Sequence, residues 1–278
     1  MESTHANYAP PVDQLLTYGE GKISKPENWP NYLELGLGPE HIPDLIRMAA
    51  DEELNWSEAE SLDVWAPLHA WRALGQLRAE AAIAPLIALR ETLEESDWAR
   101  EELPEVLGMI GPAALPPLTA LLADITYDDE LRFGVIISIE KIGTRWPEAR
   151  AACVETLMKQ LELFEENDPE INGFLALSLA ELHAIETAPL VERAYAARCI
   201  DPTIMGDWDD AQVEFGLLSA EEVEQRRSRK LHEAPTLSPL RETIRPPISV
   251  GNSQQRVAEQ KKAKSKMAKQ SRKKNRKR

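Results

Sequence analysis

From Trp65 onward the apolar positions fall at helical spacing. Trp65, Leu68, Trp71, Leu74 and Leu77 recur every third residue, so on a helix of about 3.6 residues per turn the apolar line drifts around the cylinder. That drift predicts a helix buried on more than one side, running from about Ala59 to Leu77. Ser57 and Glu60 have the form of a capping box at its start. Pro67 predicts a bend or a boundary, because an interior proline removes a backbone hydrogen bond. After a break from Arg78 to Ile83, Ala84-Pro85-Leu86-Ile87-Ala88-Leu89-Arg90 opens a second helix with proline near its start.

The same two-helix grammar returns three times. A second unit begins near Asp97, a predicted N-cap, with Leu103 to Gly111 as its first helix and Leu115 to Leu122 as its second. A third has Val135 to Gly143 and then Ala151 to Leu157; a fourth starts at Asp168-Pro169 and continues through Phe174 to Leu182 and Thr187 to Val191. Leu74, Leu107, Ile139 and Leu179 mark equivalent positions. Their separations of 33, 32 and 40 residues imply an insertion near Phe164 to Asp168 in the last. Proline followed by leucine recurs in three second helices, at Pro85, Pro117 and Pro189. Units of this length that cannot hide an apolar face alone are expected to stack.

The flanks read differently. Residues 1–31, with Pro10-Pro11, Pro26 and Pro30, form an irregular N-terminal leader, and Glu40 to Met48 resumes a helical pattern as an atypical capping repeat. After Asp207-Trp208-Asp209-Asp210, a short amphipathic stretch leads to Ser219 and Glu222, a capping box for a polar helix ending near Lys230. Residues 231–260 carry four prolines and few large apolar side chains and read as a linker. The expected organisation is therefore a leader over 1–31, a helical repeat domain over 32–230, a linker over 231–260 and a tail over 261–278.

The first-helix segments ALGQL and VLGMIG and the second-helix segments APLIAL and PPLTALL resemble HEAT repeats, especially the short bacterial kind also found in phycobilin lyases. Val64 to Trp71 together with Gly206 to Gln212 also resembles bacterial HEAT-repeat proteins without an assigned activity. The resemblance implies an all-α fold, a HEAT-like α-solenoid of stacked helical hairpins; the charge of residues 261–278 predicts a disordered basic C-terminal tail. It implies a non-enzymatic scaffold or adaptor that binds a protein on its helical surface. The alternative it implies is a phycobilin-lyase-like chaperone or enzyme acting on a protein client.

Charge adds what periodicity does not. The tail holds Lys261, Lys262, Lys264, Lys266, Lys269, Arg272, Lys273, Lys274, Arg276, Lys277 and Arg278 and no acidic residue. Those are 11 of the chain's 32 basic side chains; the other 260 residues hold 21 basic against 47 acidic ones, a net charge of −26. Uncompensated charge of this density cannot form an apolar core. It suits contact with RNA, DNA or a ribonucleoprotein through phosphates, salt-dependent and largely blind to sequence. With no aromatic residue interleaved, base stacking has no donor. The same charges suit an arm folded back on the acidic body, or a solubilising tail.

Candidate chemistry is sparse. Cys153 and Cys199 and the five histidines form no CxxC, HxxxH or HExxH pattern, and GxxxxGK[ST], GxGxxG and GxSxG are absent. No catalytic, cofactor or metal residues are assigned, and no cofactor is expected. Acidic clusters at Asp51-Glu52-Glu53, Asp128-Asp129-Glu130, Glu165 to Asp168 and Asp207 to Asp210 fall near predicted helix starts, where the helix dipole favours carboxylates. Trp71 and Trp98 are expected in the core. Met1 to His5 lack a basic region followed by an apolar run, and no stretch approaches roughly 18 uncharged apolar residues, so the expected location is cytoplasmic, with no membrane partner.

Overall fold

The computed structural model describes residues 8–22, 24–55, 61–93 and 96–233. Its longer elements are all helices, and no β-strand occurs among the described residues. In chain order they are α1 (Ile42–Ala49), α2 (Glu52–Asn55), α3 (Ala66–Gln76), α4 (Ile83–Thr92), α5 (Asp97–Ile110), α6 (Leu115–Ala123) and α7 (Asp129–Arg145), followed by α8 (Arg150–Leu161), α9 (Pro169–Glu181), α10 (Ala188–Ala196), α11 (Pro202–Met205), α12 (Trp208–Glu214) and α13 (Ala220–Glu233). The chain divides into two compact units, one reaching Arg227 and the other beginning at Ser228. In the second, the described residues are the last turns of α13.

Within the first unit, α1 packs on α3, α3 on α5, α5 on α7, α7 on α9 and α9 on α11. Other helices pack against these: α4 against α5, α6 against α7, and α8 against both α7 and α9. One apolar core runs through these contacts, from Leu45 and Met48 through Leu74, Leu103, Ile136 and Ile139 to Leu175, Leu179 and Val191. Short 3-10 turns at Glu80–Ala82, Pro112–Ala114 and Ile185–Thr187 lead into α4, α6 and α10.

Helix starts follow from side-chain capping. Ser96, Asp128, Asp168, Asp201 and Asp207 each accept a hydrogen bond from a backbone N–H of the first turn, which satisfies donors the helix cannot. Asp51 does the same for Leu54. The N-cap of α5 is thus Ser96, and Asp97, predicted to cap it, is the first helical residue. α3 begins at Ala66, so Pro67 lies in its first turn, where a proline sacrifices no helical bond; residues 62–65 before it form a 3-10 turn.

Helix ends repeat a second device. After α3, Ala79 N–H bonds Leu74 O at 3.0 Å and Arg78 N–H bonds Gly75 O at 3.0 Å. The same pair of bonds follows α9, at Ala184 and His183, and α10, at Cys199 and Arg198. These are Schellman motifs. Arg78, His183 and Arg198 adopt φ of 51°, 53° and 61° at positions usually given to glycine.

Within the leader over 1–31, the chain makes 3-10 turns at Val12–Thr17 and Pro26–Asn28 and buries Tyr8, Val12, Leu15 and Trp29. α13 runs to Glu233, three residues into the expected linker. Trp71 is 2% exposed, but Trp98 is only partly buried, packing edge-on against Trp65 with ring centroids 5.1 Å apart. The capping box at Ser57 and Glu60, residues 234–260 and the tail 261–278 lie outside the described residues.

The insertion between α8 and α9 is closed by amides. Asn172, fully buried, donates to Phe164 O and Cys199 O, while Asn167 bonds Gln160 O and Asn172 Oδ1. Loop carbonyls with no helical partner are satisfied there at no cost in exposed surface.

Candidate functional site

α3 carries His69, Arg72 and Gln76, spaced three and four residues apart and therefore on one face. All three reach up to the N-terminal segment crossing above them. His69 Nε2 bonds Gly19 O at 2.9 Å, Arg72 Nη2 donates to Lys22 O at 2.8 Å, and Gln76 Nε2 donates to Pro30 O at 2.8 Å. Gln76 Oε1 accepts from the Tyr32 backbone N–H at 2.9 Å. All four of these bonds end on main-chain atoms of residues 19–32.

Side chains of the segment complete the contact. The Tyr32 hydroxyl lies 2.7 Å from His69 Nδ1. A carbonyl only accepts, so Nε2 must donate to Gly19 O, and Nδ1 accepts from Tyr32. Trp29 lies over the Arg72 guanidinium, 5.0 Å from ring centroid to Cζ, and its Nε1 donates to Ser24 O.

Beneath the segment, Arg72 Nε and Nη2 grip the two carboxylate oxygens of Glu102 on α5. Their side chains are 2% and 1% exposed. Burial opposes the charge on Arg72, yet the Glu102 carboxylate holds its pKa above the usual value. Burial pushes His69 down to about 4, with the nearby Arg72 charge adding to the effect, so His69 is neutral. Burial raises Tyr32 to about 12, which keeps its hydroxyl proton available to His69.

Farther along the same layer of helices, Lys141 lies between Glu105 at 3.3 Å and Glu140 at 3.5 Å. Burial, reinforced by Glu181, raises the Glu140 pKa against the opposing pull of Lys141 and Thr144. Between α4, α5, α6 and α7 a small, shallow groove is bounded by Leu86, Leu103, Pro104, Gly134 and Arg90. Arg90 is held by Glu130 through Nη2, and its buried Nε has no partner.

Among the described residues no group of three His, Cys, Asp or Glu side chains converges as a metal site. Cys153 is buried in α8, where burial lifts its thiol to about 11, and Cys199 sits half-buried in the turn after α10. The eleven basic residues from Lys261 to Arg278 lie outside the described residues. No single helix among those described is long and apolar enough to cross a membrane; residues 97–123 reach that composition only as a pair bent by 111°.

Sequence reasoning passed over His69, Arg72, Gln76 and Glu102. Their signal was the polar spacing at positions 69, 72 and 76 inside a helix whose apolar line predicts burial on several sides. No family model, curated protein or solved structure matches the chain.

Proposed function

We propose that the chain is a non-enzymatic adaptor, a HEAT-like α-solenoid that binds a protein on its helical surface while its basic tail contacts RNA, DNA or a ribonucleoprotein in the cytoplasm. The single observation that carries the tail's role is the segregation of charge: 11 basic residues and no acidic one over 261–278, beside a net −26 over the remainder. A run of cations gains affinity for phosphates by releasing their counterions. The acidic remainder repels the same polyanion, which confines contact to the tail.

The serial packing of α1, α3, α5, α7 and α9, each on the next, supports the solenoid reading. Stacked hairpins offer an extended, rigid surface suited to holding a protein. The test is RNA binding by the intact chain and by a chain ending at Gln260. Loss of binding on truncation, with helix content retained, supports the assignment; equal binding by both refutes it.

A further inference from the structure

We propose that the His69–Arg72–Gln76 ridge of α3 is a binding site for an irregular peptide segment bearing a tryptophan-proline pair and a nearby tyrosine, and that residues 19–32 are its built-in occupant, displaced when a partner segment of that chemistry arrives. The proposal rests on the reading of the helical body as a protein-binding surface and is independent of the basic tail.

Three observations carry it. The ridge side chains contact the segment mainly through main-chain atoms: Gly19 O, Lys22 O, Pro30 O and Tyr32 N. Such bonds recognise main-chain atoms of any sequence and leave identity to anchors, which here are Trp29 on the Arg72 guanidinium and Tyr32 on His69.

Second, the ridge is polar although it is covered. His69, Arg72 and Glu102 are 2%, 2% and 1% exposed. A face meant only for permanent burial is best made apolar, since a buried ion pair is commonly matched or bettered by apolar residues of similar size. A face that must also stand in water once uncovered has to be polar, and this one is.

Third, the segment is bracketed by Gly19 and Gly36, with φ of +101° and +86° and open space where a Cβ would lie. Neither glycine is required by crowding. Both let the chain turn, one at the start of the covering stretch and one just after Tyr32.

The experiment uses a fluorescein-labelled peptide with the sequence of residues 19–35 and the full-length protein, read by fluorescence anisotropy. Trp29→Ala removes an anchor of the occupant and leaves the ridge intact, so it should bind the peptide about ten-fold more tightly than the unaltered protein. A second variant, Gly19→Ala with Gly36→Ala, strains only the covering conformation and should also bind more tightly, which keeps the test decisive if Trp29→Ala fails to fold. A peptide carrying alanine in place of its tryptophan should bind either variant about ten-fold more weakly, which reads the anchor in the added peptide alone. No peptide binding by a variant that retains its helix content would overturn the proposal, as would binding indifferent to the peptide's tryptophan. A concentration-dependent dimer that forms without peptide would also overturn it, in favour of exchange of the segment between copies. RNA binding by the tail is measured separately, so either idea can fail while the other stands.

Discussion

Arg72 and Glu102 are the residues whose loss the fold should feel most. Each is buried and satisfied chiefly by the other, so Arg72→Ala strands a carboxylate inside the protein. Breaking one side of such a pair costs about 3–5 kcal/mol, whereas replacing both with apolar residues is often close to neutral. Urea unfolding should show Arg72→Ala strongly destabilised and Arg72→Met with Glu102→Leu much less so. His69 sets a pH dependence. Its folded pKa of about 4 lies below the usual 6.5, so as pH falls through that window the unfolded chain takes up a proton first. The stability it protects is complete above about pH 6.5, declines as pH falls and is lost by about pH 4, a change of about 3 kcal/mol. His69→Gln, which offers a donor and an acceptor without titrating, should flatten the curve over that range relative to the unaltered protein. The left-handed residues after α9 and α10 give the opposite sign. His183→Gly or Arg198→Gly should raise stability by about 0.5–1 kcal/mol, because relief of the Cβ clash exceeds the added chain entropy. Arg78→Gly should gain less, since Arg78 also stacks 4.6 Å over the Trp146 ring.

Helices sit as close together as their small residues permit. A Cβ on Gly108 would meet Lys141 Cβ at 2.5 Å and the Lys141 carbonyl carbon at 3.2 Å. Gly108→Ala should therefore destabilise by about 1–3 kcal/mol, despite alanine's better helix propensity, as α5 and α7 are forced apart. At Gly75 the nearest atom is the sulfur of Met109 at 3.3 Å, and a flexible thioether can move. Gly75→Ala should be the milder of the two in thermal unfolding. Much at this scale was legible in the chain. The drift of Trp65, Leu68, Trp71 and Leu74 marked a helix buried on several sides, and the acidic clusters stood at helix starts because capping is a local act. The N-terminal segment was not legible. Its turns rest on Gly19, Lys22 and Pro30 carbonyls that His69, Arg72 and Gln76 satisfy from about 50 residues away, and a main-chain acceptor leaves no trace in side-chain pattern. The spacing of 69, 72 and 76 was visible, but its partner Glu102 belongs to another unit, and periodicity does not pair charges between helices.

The whole molecule joins 260 residues with a net charge of −26 to a tail of 11 cations. The measurement that tests this most directly is the affinity for single-stranded RNA as a function of salt, with the intact chain and with one ending at Gln260. If each of up to 11 tail cations neutralises a phosphate, log affinity falls linearly with log salt, with a slope no steeper than about −8. The intact chain should show such a slope and the shortened one no binding. Equal affinity and equal slope for both would place the phosphate contacts on the helical body and contradict that expectation.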